Sequence, residues 1–192
     1  PMVYNDPDLR ITDGLHEFFG LAHRGMVDLF FLSGIQIDRE GNFNLSLVGD
    51  YGKPKLRLPG GAGSNMMIMM AKRTIMFTIT HNTKLFVPRV SFVNGTARDE
   101  TIPWRRGVLS HIATPLALLR YDAGRGAVVL EGTYPGVPLE EVEKNTGFDL
   151  GLDGKEARSL EEVRPEELDL LRGPVLDKMR TVYPLFCSML WA

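Results

Sequence analysis

The stretch "LRLPGGAGSNMMIMMAKRTIMFTITHN" (Leu56–Asn82) decides how the chain is read. Pro59 and the glycines after it interrupt regular structure. Ser64 then opens "SNMMIMMAKR", which reads as a short helix, and "TIMFTIT" reads as a strand. Loop, helix and strand in that order are the repeating unit of an α/β sheet. The loop "PGGAGSN" (Pro59–Asn65) has two readings. It is a tight turn with Ser64 as helix N-cap. Alternatively, its glycines let a ligand approach backbone N–H groups that attract an anion or oxyanion. It matches neither phosphate-loop template, GxxxxGK[ST] or GxGxxG followed by an acidic residue. Met66, Met67, Met69 and Met70 fit core packing, since methionine fills irregular gaps.

On the N-terminal side, Thr12 or Asp13 caps a helix with Leu15, Phe18, Phe19 and Ala22 on one face and Gly25 at its end. "VDLFFLSG" (Val27–Gly34) reads as a strand buried on both faces, and "FNLSLVG" (Phe43–Gly49) as one strand with a single buried face. Between them "QIDREGNFN" is a turn built by Asp38, Asn42 and Asn44 around Gly41. If the flanking strands pair, Gln36 and Asn44 lie beside the glycine loop, where they can hydrogen-bond a ligand. On the C-terminal side, "FVPRVSFV" is an edge strand demoted by Pro88, and "ATPLALLRYD" with "AVVLEGTYP" forms a hairpin around "AGRG". Helices are expected over Leu139–Asn145, with Pro138 at its start, and over "RPEELDLLRG", closed by Gly173. The sum is one α/β domain over residues 1–192, with an open, mostly parallel sheet flanked by helices. The apolar tail "TVYPLFCSMLWA" packs on the domain or on another chain.

Bulk properties narrow the function. A formal net charge of −2 argues against a nucleic-acid partner and for a small-molecule ligand. Cys187 is the only cysteine, so an intrachain disulfide and a cysteine-based zinc site are both ruled out. His16, His23, His81 and His111 offer no i, i+4 pair, and no metal is expected. No apolar run reaches the length of a membrane span and the N-terminal residues carry no signal pattern, so the expectation is a soluble, cytoplasmic protein without a membrane partner.

Several segments, in order, resemble the β subunit of the family I coenzyme A transferases, of the glutaconate or 3-oxoacid type. "FFLSGIQIDREGNFNLSLVGDYGKPKLRLPGGAGSN" (Phe30–Asn65) is similar to that family's Gln-Ile-Asp and Gly-Gly-Ala-Asn stretch. "KRTIMFTITHNTKLFV" (Lys72–Val87) is similar to the strand leading to its His-Glu-Lys-Arg segment, and "TYPGVPLEEVEKNTGFDL" (Thr133–Leu150) to its Asn-Thr-Gly-Phe-Asp-Leu segment. The resemblance implies an α-subunit partner, acyl-CoA and carboxylic acid substrates, coenzyme A as a substrate and no tightly bound cofactor. It implies covalent chemistry in which a glutamate attacks the thioester. Gly60, Gly61, Ala62, Gly63, Ser64 and Asn65 fall on the family's glycine loop, with Gly63 and Ser64 as candidates for stabilising the oxyanion. Gln36, Asp38, Gly41, Asn42 and Asn44 form a wall of the site and not its nucleophile. The family's glutamate, in a Glu-Xaa-Gly segment upstream of the match, has no convincing counterpart, because Asp13-Gly14 and Glu17 lie too close to the "FFLSG" strand. Asn82 stands where the family has Glu, Leu85 where it has Arg, and "VNG" (Val93–Gly95) where it has Ser-Pro-Gly. Three functions fit: a transferase subunit whose nucleophile lies elsewhere, an acyl-CoA hydrolase subunit with the carboxylate on the other chain, or a non-catalytic partner.

Overall fold

The computed structural model describes residues 15–154 and 156–190, and the chain divides into two compact units at the Leu160–Glu161 junction. The larger begins with α1 (Leu15–His23), whose Phe18, Phe19 and Ala22 pack on the methionine helix as the spacing requires. Then follow β1 (Leu29–Leu32), β2 (Gln36–Ile37), β3 (Phe43–Asn44), β4 (Leu47–Gly49), β5 (Pro54–Arg57), α2 (Ser64–Met70) and β6 (Arg73–Phe77). After a long irregular segment come β7 (Val108–Ala113), β8 (Ala117–Asp122), β9 (Ala127–Thr133) and α3 (Leu139–Lys144).

The main sheet has the order β1-β6-β7-β8-β9. Neighbours β1, β6 and β7 are parallel, whereas β8 is antiparallel to both β7 and β9. Four of the five strands therefore run the same way. One face carries the core, with Met76, Leu109, Ile112, Leu119 and Val128 packed against Ile68, Phe43 and Phe86. The α/β expectation holds, and so do the "AGRG" hairpin and the α3 helix.

Several local expectations need correction. The first strand is not buried on both faces: β1 is an edge of the sheet, with Leu32 inside and Phe31 55% exposed. "FNLSLVG" is two short strands, β3 and β4, because the Asn44 side chain turns the backbone between them. "FVPRVSFV" is not a strand. It runs along β2, with Ile37 N–H donating to Leu85 O at 2.7 Å and Val87 N–H to Ile37 O at 2.9 Å, before Pro88 ends the pairing. "VLSHIA" forms β7 although polar Ser110 and His111 hide its period.

A further correction concerns the second unit. There α4 (Pro165–Leu170) does not stop at Gly173 but passes through a π-helical turn, Leu171–Val175, into α5 (Leu176–Val182). A wide turn accommodates Pro174, which has no N–H to donate. The tail forms α6 (Pro184–Leu190), with Cys187 buried and Leu185 80% exposed.

The C-terminal end of α2 is held from outside the helix. Met69 O accepts from Arg106 N–H at 3.0 Å and Gly107 N–H at 2.8 Å. That approach requires glycine, since a Cβ on Gly107 would lie 2.0 Å from Ile68 O. Gly107→Ala is predicted to lower unfolding free energy by about 1–3 kcal/mol or more. Gly20→Ala, in α1 with nothing within 4 Å of the new methyl, should raise it by about 0.5–1 kcal/mol. Urea unfolding of both variants checks the pair, and a Gly107→Ala midpoint equal to wild type would refute the packing.

Candidate functional site

Residues 33–72 connect two parallel strands with little regular pairing, so side chains satisfy their backbone groups. The β2–β3 hairpin sets Gln36 opposite Asn44. Asp38 closes its turn: Oδ1 accepts from Glu40 N–H at 3.1 Å and Asn42 N–H at 3.0 Å, and Oδ2 from Asn42 Nδ2 at 3.2 Å and Val90 N–H at 3.3 Å. Gln36 Oε1 accepts from Asn44 Nδ2 at 2.8 Å and Ser91 N–H at 2.9 Å. Asn44 also donates to Leu47 O, and its Oδ1 accepts from Ser46 N–H at 2.9 Å and Leu47 N–H at 3.3 Å. Asn44 is fully buried and Gln36 nearly so. Both sit one layer behind the glycine loop and reach it through Leu45 and Ser46.

The loop lies directly on that pair. Leu58 N–H donates to Ser46 O at 2.9 Å and Gly60 N–H to Leu45 O at 3.2 Å. Asn94, absent from the sequence-derived candidates, fixes the same two residues: its Oδ1 accepts from Leu45 N–H at 2.7 Å and Ser46 Oγ at 2.9 Å. Gly60, Ala62 and Gly63 have φ of 96°, 44° and 93°. Ser64 does not cap the helix with its side chain. Its N–H and Oγ both donate to Gly61 O, at 2.7 and 2.6 Å, and Gly63 is the N-cap. Among the described residues, the N–H groups of Gly61, Ala62, Gly63 and Asn65 have no hydrogen-bond partner. Ala62 and Asn65 are exposed. Gly63 packs under Phe19, and a Cβ there would lie 2.6 Å from the ring. Asn94 follows from the odd "VNG" segment; the Phe19 contact leaves no local trace in the sequence.

His81 is a core residue. Its Nδ1 lies 2.8 Å from Thr114 Oγ1 and its Nε2 3.0 Å from Thr146 Oγ1, with the ring 4.4 Å from that of Phe86. Thr146 Oγ1 also lies 2.7 Å from Val142 O and Thr114 Oγ1 2.9 Å from Ala117 O, so the neutral ring donates its one N–H to one hydroxyl and accepts from the other, which turns its hydrogen from the carbonyl to the ring. Burial pushes the His81 pKa down from 6.5 to about 4, leaving the ring neutral near pH 7. Among the described residues no cluster of three His, Cys, Asp or Glu side chains could hold a metal ion, and no helix is long and apolar enough to cross a membrane. Glu17 is half-buried on α1, while Asp13 lies outside the described residues.

The buried ring and the crowded loop are both open to measurement. Because the folded-state pKa of His81 is lowered, the unfolded chain takes up its proton first as pH falls. Its contribution is present above pH 6.5 and lost progressively towards pH 4, amounting to about 3 kcal/mol at ~1.4 kcal/mol per unit. An NMR titration of the His81 ring should give a midpoint near 4, and His81→Gln should flatten this part of the stability–pH curve; a midpoint at 6.5 overturns the assignment. Gly63→Ala meets both the Phe19 ring and a left-handed backbone, and should destabilise by about 1–2 kcal/mol or more. An unchanged melting temperature would contradict that packing.

The coenzyme A transferase family model matches residues 7–145, a span that includes the hairpin, the glycine loop and His81. The β subunit of 3-oxoadipate CoA-transferase from Pseudomonas knackmussii is 32% identical over 131 residues, covering 65% of this chain and 50% of that protein. The β subunit of glutaconate CoA-transferase from Acidaminococcus fermentans is 30% identical over 168 residues, 84% of this chain and 60% of that protein. The crystal structure of that enzyme superposes with a TM-score of 0.71 at 26% identity, over 82% of this chain and 64% of that one. The cholesterol ring-cleaving hydrolase IpdB subunit of Rhodococcus jostii is 30% identical over 200 residues, 90% of this chain and 77% of that protein. The chain thus spans about half to three-fifths of the length of the two CoA-transferase subunits it matches. With the family model matching residues 7–145, well over half of its length, the chain belongs to the coenzyme A transferase family.

Proposed function

We propose that this chain acts as the β-type subunit of a heteromeric, cytoplasmic CoA transferase. With an α-type subunit it moves coenzyme A between an acyl-CoA of the glutaconyl or 3-oxoacyl class and a carboxylic acid. The observation that carries the reading is the row of amides at Gly61, Ala62, Gly63 and Asn65 that have no partner among the described residues, in a loop inside the matched span. Amides fixed before reaction stabilise a developing thioester oxyanion without reorganising.

A glutamate carboxylate adds to the thioester carbonyl and CoA thiolate leaves, giving an acyl–glutamyl anhydride. The thiolate attacks the glutamyl carbonyl, forming a glutamyl–CoA thioester and freeing the donor acid. The acceptor carboxylate then attacks that thioester to give a second anhydride, from which the thiolate takes the new acyl group. Coenzyme A is a substrate throughout. The glycine loop binds the oxyanion, while Asn94 and Ser46 hold it from behind. The glutamate has no convincing counterpart between Leu15 and Leu32 and is assigned to chain outside these residues or to the α-type subunit.

Identity to the IpdB subunit of a ring-cleaving hydrolase supports a second reading, hydrolysis of a cyclic acyl-CoA with the catalytic carboxylate on the α-type subunit. An exchange assay on the complex separates them. Appearance of a new acyl-CoA from an added carboxylic acid is the expected outcome, whereas CoA release, or gain of one water by a cyclic CoA ester, without an acceptor indicates hydrolysis. Absence of either reaction with every CoA ester tried would reject both. Gly63 is a poor probe because its replacement disturbs packing. Asn65→Ala, at an exposed position, should stay within about 0.5 kcal/mol of wild-type stability. Because alanine keeps the backbone N–H, the variant should also keep kcat within about threefold of wild type, and a loss of about tenfold or more would show that the Asn65 side chain, and not the amide row alone, holds the oxyanion.

A further inference from the structure

We propose that the exposed β4–β5 hairpin, through Lys53, Lys55 and Arg57, binds the phosphate groups of the CoA ester whose thioester end lies at the glycine loop. This rests on the reading above.

The charge pattern comes first. In a chain of formal net charge −2, three cations stand within five residues, "KPKLR" (Lys53–Arg57). All three are exposed, and among the described residues none has a carboxylate within ion-pair distance. By contrast Arg98, Arg120 and Arg125 all sit in ion pairs. The nearest acid in sequence, Asp50, is held in the turn by Gly52 N–H at 2.8 Å and Lys53 N–H at 3.3 Å.

Position is the second observation. Lys55 and Arg57 are two residues apart on a strand and so share a face. Pairing of β4 with β5 continues past Arg57 through Leu58 N–H to Ser46 O and Gly60 N–H to Leu45 O, straight into the glycine loop. At about 3.4 Å per residue, Arg57 lies roughly 10 Å and Lys55 roughly 17 Å along the ladder from Gly60. In a CoA ester, the thioester and the phosphates occupy opposite ends of an extended pantetheine arm, which matches that separation of amides from cations.

Bracing is the third. The Arg57 guanidinium sits over the Tyr51 ring at 5.3 Å, and Tyr51 stacks on Phe92 at 6.0 Å. The Lys55 stem lies against Gly49, where a Cβ would come within 3.3 Å of Lys55 Cγ. A guanidinium held on an aromatic face loses less freedom when it binds phosphate, and its planar fork suits phosphate oxygens.

The test compares an acyl-CoA with the same acyl group on pantetheine, which lacks the phosphates, in the wild-type complex and in a Lys55→Gln/Arg57→Gln complex. The double variant should raise KM and the Kd of coenzyme A about tenfold or more, and leave the kinetics of acyl-pantetheine within about twofold. Its CoA affinity should also respond less to salt between about 50 and 200 mM than that of wild type. If wild type binds coenzyme A but the variant binds it equally well, the hairpin assignment falls and the functional reading stands. Equal loss with both esters, or dissociation of the complex, would mean that the hairpin serves folding or the partner interface and would overturn the assignment. Failure of the wild-type complex to bind coenzyme A in calorimetry would remove both.

Discussion

A buried carboxamide holds the irregular half of the larger unit together. Asn44 is fully enclosed, and its side chain makes four hydrogen bonds, to Gln36, Leu47 (twice) and Ser46. Long crossovers between parallel strands normally bury their backbone polar groups by becoming helical; residues 33–63 contain no helix. Each buried N–H or C=O there needs another partner, and leaving one unmatched costs about 1–3 kcal/mol. Asn44, Asp38, Gln36 and Asn94 supply those partners. Because Ser46 and Leu45 are fixed from both sides, the glycine loop resting on them is placed by side chains remote from any ligand.

This dependence explains which parts of the structure were legible in the sequence. The β8–β9 hairpin, α1 and α2 follow from period and turn chemistry, since their side chains face either core or solvent. "FNLSLVG" misleads because alternation assumes that a polar residue in a strand faces water, whereas Asn44 points inward to serve the backbone. Phe31 misleads in the opposite sense: an apolar run implies two buried faces, but β1 is at the sheet edge and Phe31 remains exposed. In β7, a register shift between β6 and β7 near Ser110 spoils the two-residue period that would have marked the strand. The site was half readable. Glycine loops advertise themselves, but Asn94 and Phe19 reach Gly60–Gly63 from about thirty to forty-five residues away in sequence, and only tertiary packing brings them there.

The backbone of that loop carries a tension between packing and access. Three of its four residues from Gly60 to Gly63 adopt positive φ, and one of them is Ala62, for which the left-handed region costs about 1–2 kcal/mol. Such strain persists only where the surroundings fix it. Here the Phe19 ring blocks one side of Gly63, while Ser64 folds its N–H and hydroxyl back onto Gly61 O. Closing the turn through the Gly61 carbonyl leaves the amides of Gly61, Ala62, Gly63 and Asn65 without partners among the described residues. The turn reading and the anion reading of this loop are therefore not rivals. Ser64 makes the turn, and the turn is what presents the amides.

An oxyanion held by amides and not by cations suits a carboxylate nucleophile. A lysine or arginine at the same place would pair with the attacking carboxylate in the ground state and lower its reactivity, whereas a backbone dipole is a weaker partner for a full charge and responds to charge developing on the carbonyl oxygen. The cations of β5 lie away from the loop along the ladder, Arg57 roughly 10 Å and Lys55 roughly 17 Å from Gly60. On the proposed function, their separation from the amides divides the ligand between two kinds of contact: the charged end supplies binding energy far from the bond that breaks, and the neutral loop responds only as that bond reacts.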